Sequence, residues 1–503
     1  MRPSRHATLS TLLDRLQAGA WPTVFSACGV LLLSLAGCGD PDAAPTGADT
    51  GRAATPADTT AATSASAAPA AQPPVTLDRI GHVIVIYQEN WSFDGLYSQF
   101  PGARGYADQA AVAQTDRNGA PLAGLPQPLD NAGMPDARFP SALPVRFYNI
   151  LSYVPPKDLT GDLIHAFYHE QAQIDGGAND RFVAYSSNPG LVLGFYDASI
   201  LPEGQLAAQF VLCDNCFHSA FGGSFLNHQW LIAAQTPEVP DGVDLPADWR
   251  GRFSANPAEL KDRPLTADGR WMVNTIQTLN DPHGPGPAIP ALFTHPTIGD
   301  RLSAAGLSWA WYAGGWDHAL ATRIVYQEPD DFQAHHQPFN YFAAFDQGTA
   351  DGRANRAAHL KDEQDFLAAL VGDAHGVPAV SFIKPMGADN EHPGYAALAR
   401  GQRHTADLVD AIRQSPIWKD CLIIITYDEH GGRWDHVSPP VIDQWGPGVR
   451  VPMIIISPFA KTHTVDHTRY ETVSILHFVE KRWNLPALGT RDAQADPLSG
   501  AFR

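Results

Sequence analysis

The sequence predicts an α/β protein, and three observations carry that prediction. First, Leu422-Ile-Ile-Ile-Thr-Tyr427 and Ile80-Gly-His-Val-Ile-Val-Ile-Tyr87 are apolar, β-branched runs of the length and texture of buried strands. Second, both runs end abruptly in oxygen-bearing side chains, Asp428-Glu429 and Glu89-Asn90, and a third strand, Ala379 to Ile383, leads into Asp389-Asn-Glu-His392. In open α/β sheets, ligands gather at the carboxyl ends of strands. Third, helical stretches lie between the strands: Thr297 to Gly306, Glu363 to Leu370, His404 to Ser415 and Thr472 to Trp483.

The chain has 503 residues, enough for a large core. It carries 34 Lys and Arg against 53 Asp and Glu, a net charge of −19. That balance argues against a nucleic-acid partner, which requires a basic footprint. No Walker loop, dinucleotide fingerprint or internal repeat is present.

Residues 1–37 read as a lipoprotein signal peptide. Arg2, Arg5 and Arg15 precede the apolar stretch Val24 to Leu35, and Leu35-Ala-Gly-Cys38 follows. The apolar stretch is short for a spanning helix. Cys38 is then the expected lipidated residue, which places the protein in a bacterial cell envelope, periplasmic or surface-facing and anchored to a membrane. Residues 38–77 are rich in Ala, Pro, Thr and Ser and read as a disordered tether. Of the remaining cysteines, Cys213 and Cys216 form a lone C-x-x-C, too little for a zinc site. An oxidising compartment would permit a disulfide between them.

Residues 78–503 read as the catalytic domain. Side chains of adjacent strand residues point to opposite faces. Glu89 and Asn90 can therefore serve one site only if the strand has already broken into loop there, and the same holds for Asp428 and Glu429. Gly431-Gly432 would let the chain turn sharply after the second pair. Asp435-His436 follows them.

His165 and His169 are spaced to share a helix face, with His169 expected on a polar surface. Leu201 to Cys216 reads as a helix followed by a short strand. Phe221-Gly-Gly-Ser224-Phe-Leu-Asn227 offers a tight turn that would present a hydroxyl at a helix start. Residues 236–296 are rich in Pro and Gly and read as an irregular insertion or cap. Leu307 to Tyr312 is an expected strand and Val451 to Ser457 another. The adjacent His335-His336 are either ligands or exposed loop residues.

Taken together these motifs are similar to those of a bacterial phosphoesterase family that includes phospholipase C and acid phosphatase A. The matching segments are His82 to Asp94, Asp389-Asn-Glu-His-Pro393, Asp428 to Val437 with Pro439-Pro440, Arg450-Val-Pro452 and the Gly-Gly-Ser-Phe-Leu-Asn227 turn. They fall in order across residues 78–503. The resemblance implies an alkaline-phosphatase/sulfatase-like fold, a mixed sheet sandwiched between helices. It implies one divalent metal ion (Ca²⁺, Mg²⁺ or Zn²⁺) held by Glu89, Asn90, Asp428 and Glu429, with Ser224 as nucleophile. His165, His336 and His392 fall at positions of phosphate-contacting or proton-donating histidines. Asn227, His335 and His436 fall at substrate-binding positions.

Within the family, the Thr297 to Leu302 segment, the Trp309 to Trp316 run, His335-His336 and the ending at Arg503 resemble the acid phosphatase branch. Family members often carry Arg where this chain has His228. The expected activity is hydrolysis of a phosphate ester through a phosphoserine. Phospholipase C activity on lipid head groups is the alternative, and a non-catalytic surface lipoprotein the second alternative.

Overall fold

The computed structural model describes residues 77–252, 262–326, 331–372 and 376–502. The expected signal peptide, Cys38 and nearly all of the tether lie outside the described residues.

Among the described residues, eight strands form one mixed sheet. From edge to edge they are Thr464–Asp466, Val211–Cys213, Met453–Ile456, Cys421–Tyr427, His82–Gln88, Val380–Lys384, Trp309–Ala313 and Leu360–Asp362. Met453–Ile456 runs antiparallel to both of its neighbours, and the other pairings are parallel. The central strands are buried along almost their whole length, as their continuous apolar runs require. The two edge strands Leu360–Asp362 and Thr464–Asp466 have only three residues each and carry no such run, so the sequence does not announce them.

Helices cover both faces. Tyr87 donates its hydroxyl to the carbonyl of Asn227, on the helix Ser224–Ala233. Its neighbour Gln88 points the other way and bonds Thr405, on the helix Leu398–Gln414. Thr472–Trp483 packs beside the first helix and Pro202–Gln209 beside the second. The expected mixed sheet between helices is the fold observed.

Register positions the site. Gln88 pairs directly with Tyr427, so Glu89 and Asp428 emerge side by side from adjacent parallel strands. The Asp428 N–H donates to the Gln88 carbonyl at 3.0 Å and ends the ladder. Ile86 pairs with Ile383 on the other flank, which brings Lys384 to the same edge.

Residues 236–252 and 262–296 form no extended strand, and their one helical segment is the 3-10 turn Ala247–Trp249. Cys213, Cys216 and Cys421 are buried free thiols, so no disulfide joins the first two.

Candidate active site

The strand breaks where the sequence requires it to. Asn90 has φ 70°, a left-handed conformation that Asn tolerates better than most side chains. Gly431 follows the second ligand pair at φ 61°. A Cβ there would lie 2.2 Å from the Asn90 carbonyl oxygen, so the close approach of the two ligand loops demands glycine.

Asn90, Asp428 and Glu429 meet in full burial. The Asn90 N–H donates to Asp428 Oδ1 at 3.2 Å. On one side the Asn90 amide lies 3.1 Å from Asp428 Oδ1 and 2.9 Å from Glu429 Oε1, and on the other 2.6 Å from His392 Nε2. Two chemistries satisfy this arrangement. With its nitrogen toward the carboxylates, the amide donates to both and accepts from His392. With its oxygen toward them, three oxygens converge and need a cation among them. Mg²⁺ holds oxygens at about 2.0–2.1 Å, which sets neighbouring ligand atoms about 3 Å apart. The three oxygens fit a hard divalent ion.

Electrostatics agree with that fit. Burial, and then the Glu89 charge, push Asp428 up to about 6. Burial, and then Asp428, push Glu429 well above the ordinary carboxylate range. A cation and protons would therefore compete for both acids.

Glu89 sits next to this group but is engaged elsewhere. Its Oε1 lies 2.7 Å from the Lys384 ammonium and 2.6 Å from His336 Nε2. Its Oε2 accepts from Asn390 and from the Tyr395 hydroxyl, each at 3.0 Å. Burial opposes the ionised form, yet Lys384 and His336 together hold Glu89 well below its ordinary value. Lys384 is a site residue the sequence reading missed. A lysine closing the apolar run Val380 to Ile383 was the available signal, since a fully buried lysine is rarely unpaired.

Ser224 begins the helix Ser224–Ala233 as expected and is 2% exposed. Its hydroxyl lies close enough to the Asp428 carboxylate to favour the ionised form. Gly222 in the turn has φ 78°, and a Cβ there would meet the Phe167 nitrogen at 2.2 Å. Asn274, from the irregular 236–296 segment, accepts from the Ser224 N–H at 2.7 Å through Oδ1. It thus caps the Ser224–Ala233 helix from a region whose composition reveals no such role. A cavity of about 790 Å³ opens here, walled by Leu163, His165, Trp249, Met272, Asn274 and Ile276 among others.

His165 and His392 flank the Asn90 amide, with ring centroids 5.4 Å apart. His165 donates from Nδ1 to the Leu163 carbonyl at 2.7 Å. Its Nε2 then lies 3.3 Å from the Asn90 amide and 3.7 Å from Glu429 Oε1. His335 and His336 are buried rather than exposed, and with His228 they form a group of three imidazoles beside Glu89. Burial drives His228 well below its ordinary value, so it sits neutral beneath Ser224, donating from Nδ1 to the Ser224 carbonyl at 2.7 Å.

Some expected residues are placed elsewhere. Asn227 donates to the carbonyls of Ala220, Gly222 and Gly223 and accepts from the Ala220 N–H, so its amide is spent bracing the Gly-Gly turn. His436 Nδ1 lies 2.6 Å from Asp94 Oδ2, in a separate cluster where Arg450 pairs with Asp94 and Asp435. His165 and His169 do not share a helix face, because Ala166 is extended and the helix Phe167–Ile174 starts after it. His169 is buried against Asp262 rather than exposed.

The buried, oxygen-rich strand ends and the serine at a helix start define a phosphoester-hydrolase type of site. The profile of the Phosphoesterase family matches residues 80–486, and the chain belongs to that family. Phospholipase C B of Mycobacterium tuberculosis is 25% identical over 474 residues, 85% of this chain and 78% of that protein. Non-hemolytic phospholipase C of Pseudomonas aeruginosa is 25% identical over 467 residues, 85% of this chain but 57% of that protein. Among solved structures, a protein in the alkaline phosphatase superfamily from Vibrio parahaemolyticus overlaps 59% of this chain and 63% of its own, at 10% identity and TM-score 0.31. The lipoteichoic acid synthase LtaP from Listeria monocytogenes overlaps 83% of this chain and 78% of its own, at 8% identity and TM-score 0.35.

Proposed function

We propose that this chain is a metal-dependent hydrolase that prefers phosphomonoesters and acts through a phosphoserine. The observation that carries the reading is the Ser224 hydroxyl on its tight turn, close to Asp428 where the Asn90, Asp428 and Glu429 oxygens converge. Asn90, Asp428 and Glu429 would hold the ion, while Glu89, the fourth ligand expected from the sequence, has both oxygens engaged by Lys384, His336, Asn390 and Tyr395. When bound, a divalent cation supplies charge stabilisation for a serine alkoxide and for the phosphoryl oxygens.

The protein's own groups would do the rest. Ser224 Oγ forms a bond to phosphorus and its proton passes to Asp428. The ester P–O bond breaks, and His165, which lines the cavity, protonates the leaving oxygen through Nε2. Water then hydrolyses the phosphoserine. A lipid on Cys38, the first residue after the expected signal peptide, would anchor the enzyme in a bacterial cell envelope, periplasmic or surface-facing.

A second reading has its own support. The relatives named above are phospholipases C, so release of phosphorylated head groups from phospholipid uses the same residues. Steady-state kinetics on p-nitrophenyl phosphate and on phosphatidylcholine, with and without chelator, separates the two. A higher kcat/KM for the monoester, lost on chelation, supports the proposal. A higher kcat/KM for phosphatidylcholine moves the chain to the phospholipase reading. Full activity of a verified metal-free enzyme ends the metal-dependent one.

A further inference from the structure

The helix Phe167–Ile174 carries a carboxylate that the chemistry above leaves unused. Glu170 is fully buried. Its Oε2 accepts from the Gly222 N–H at 2.6 Å, and Gly222 opens the turn that presents Ser224. Its Oε1 accepts from the Val449 N–H at 3.0 Å and from His218 Nε2 at 2.9 Å. His218 Nδ1 lies 2.8 Å from the Ala220 carbonyl. Both partners of that imidazole are acceptors.

His430 extends the cluster to the other half of the site. It follows Glu429 in sequence and lies nearly parallel to His218, with centroids 5.2 Å apart. Its Nδ1 is 3.6 Å from Glu170 Oε1 and 3.3 Å from Glu429 Oε2. One buried carboxylate therefore touches the nucleophile turn directly and the Glu429 carboxylate through a single imidazole.

We propose that Glu170 and His218 form a positioning couple that sets the Ser224 turn at its working distance from Asp428 and Glu429. The role rests on the reading of Ser224 as nucleophile. Three N–H donors converge on one carboxylate, and bonds to an ionised acceptor are about twice as strong as neutral ones. Gly222 is thereby fixed at its N–H by Glu170 and at its carbonyl by the Asn227 amide. Misplacing a reacting group by about 1 Å can cost about a hundredfold in rate. Together with His430 the couple has the composition of a metal site, one carboxylate and two imidazoles. However, its carboxylate already accepts three protein hydrogen bonds.

The test is Glu170→Gln in the full chain, with His218→Gln as the second variant should the first fail to fold. Glutamine keeps the shape, but its amide nitrogen cannot accept, so at least one of the three bonds is lost. On p-nitrophenyl phosphate, kcat and the rate of the p-nitrophenol burst should both fall about a hundredfold, with KM within about twofold. The double variant should be no slower than the slower single one, as for residues acting as a unit. Hydrogen exchange in the peptide spanning Gly222 and Ser224 should rise about tenfold or more, with the His82–Gln88 strand unchanged. Metal content per chain should match wild type. The exchange measurement decides the positioning role even if the wild-type chain proves inactive on phosphate esters, a result that would count against the functional reading alone. A wild-type burst rate in folded Glu170→Gln, or unchanged exchange at the turn, would overturn the proposal. Loss of one metal equivalent relative to wild type would overturn it too, in favour of a second cation site.

Discussion

Metal uptake by this site should be strongly linked to protons. The perturbation is a pH change from 7 to 5 on protein stripped of divalent ions. Asp428, pushed up to about 6 by burial and the Glu89 charge, is mostly ionised at the start of that interval and mostly protonated at its end. Glu429 is raised well above the ordinary carboxylate range by burial and Asp428, and its proton works in the same direction. A cation coordinates only the ionised forms. Uptake at pH 5 should release about one proton more than uptake at pH 7. The Asp428 proton alone weakens apparent affinity about tenfold over the interval, so Kd should rise by at least about tenfold, or about 1.4 kcal/mol. Titration calorimetry with Mg²⁺, Ca²⁺ and Zn²⁺, in buffer pairs of different ionisation enthalpy, measures both quantities. A Kd that changes less than tenfold between pH 7 and pH 5, with no proton release, would refute the reasoning.

Four other outcomes are expected. Ser224→Ala should keep the fold and lower kcat by about three orders of magnitude or more, and rapid acid quenching of wild type should trap phosphate on the Ser224 peptide; trapping elsewhere would remove Ser224 as nucleophile. Lys384→Met should cost about 3 kcal/mol or more in denaturant unfolding, because it leaves the buried Glu89 carboxylate without its 2.7 Å ammonium partner; a loss below about 1 kcal/mol would contradict that pairing. Trp249→Ala should change kcat/KM for bulky aryl phosphates more than for methyl phosphate, because Trp249 walls the cavity beside His165; equal effects would place the leaving group elsewhere. Burial opposes the charged form of His404, yet Glu363 at 2.8 Å raises it to about 9. A folded-state value above the unfolded one gives stability that is complete below about pH 6.5 and lost as pH rises through about 9. His404→Gln should therefore destabilise by on the order of 3 kcal/mol at pH 6 and by little at pH 10, and an equal loss at both pH values would contradict the pairing.

The sequence announces the parts of this fold that repeat a simple physical rule. Long apolar runs mark the central strands, and the change to Asp, Glu and Asn at their ends marks where the site lies. The Gly-Gly-Ser turn gives the start of its helix to the residue. The Thr472–Trp483 helix appears with its expected bounds. What the sequence hides depends on partners far along the chain. Asn274 sits among prolines and glycines, yet it caps a helix fifty residues earlier. Asn227 is a residue type suited to binding a substrate, and only the turn folded back over it shows where its amide goes. His165 and His169 have helical spacing, but spacing cannot reveal that Ala166 stays extended. Glu170, His218 and His430 come from three separate segments and look like ordinary polar residues in each.

Charge balance joins the hidden residues to the visible ones. Glu89, Asp428 and Glu429 are fully buried at the ends of two adjacent strands. Buried carboxylates are costly unless each is paired or protonated. Lys384, delivered by the next strand, neutralises Glu89 and fixes its orientation. That leaves Asp428 and Glu429, whose charges sum to −2 when ionised. Protons offset part of that charge in the metal-free state, more of it as pH falls through about 6, and one divalent cation matches all of it while leaving both carboxylates ionised. A site with no fixed cation would have to balance three negative charges before an anionic phosphate could enter. A second fixed cation against Asp428 would compete with that divalent ion for the same carboxylate. One lysine, on Glu89 alone, meets both requirements.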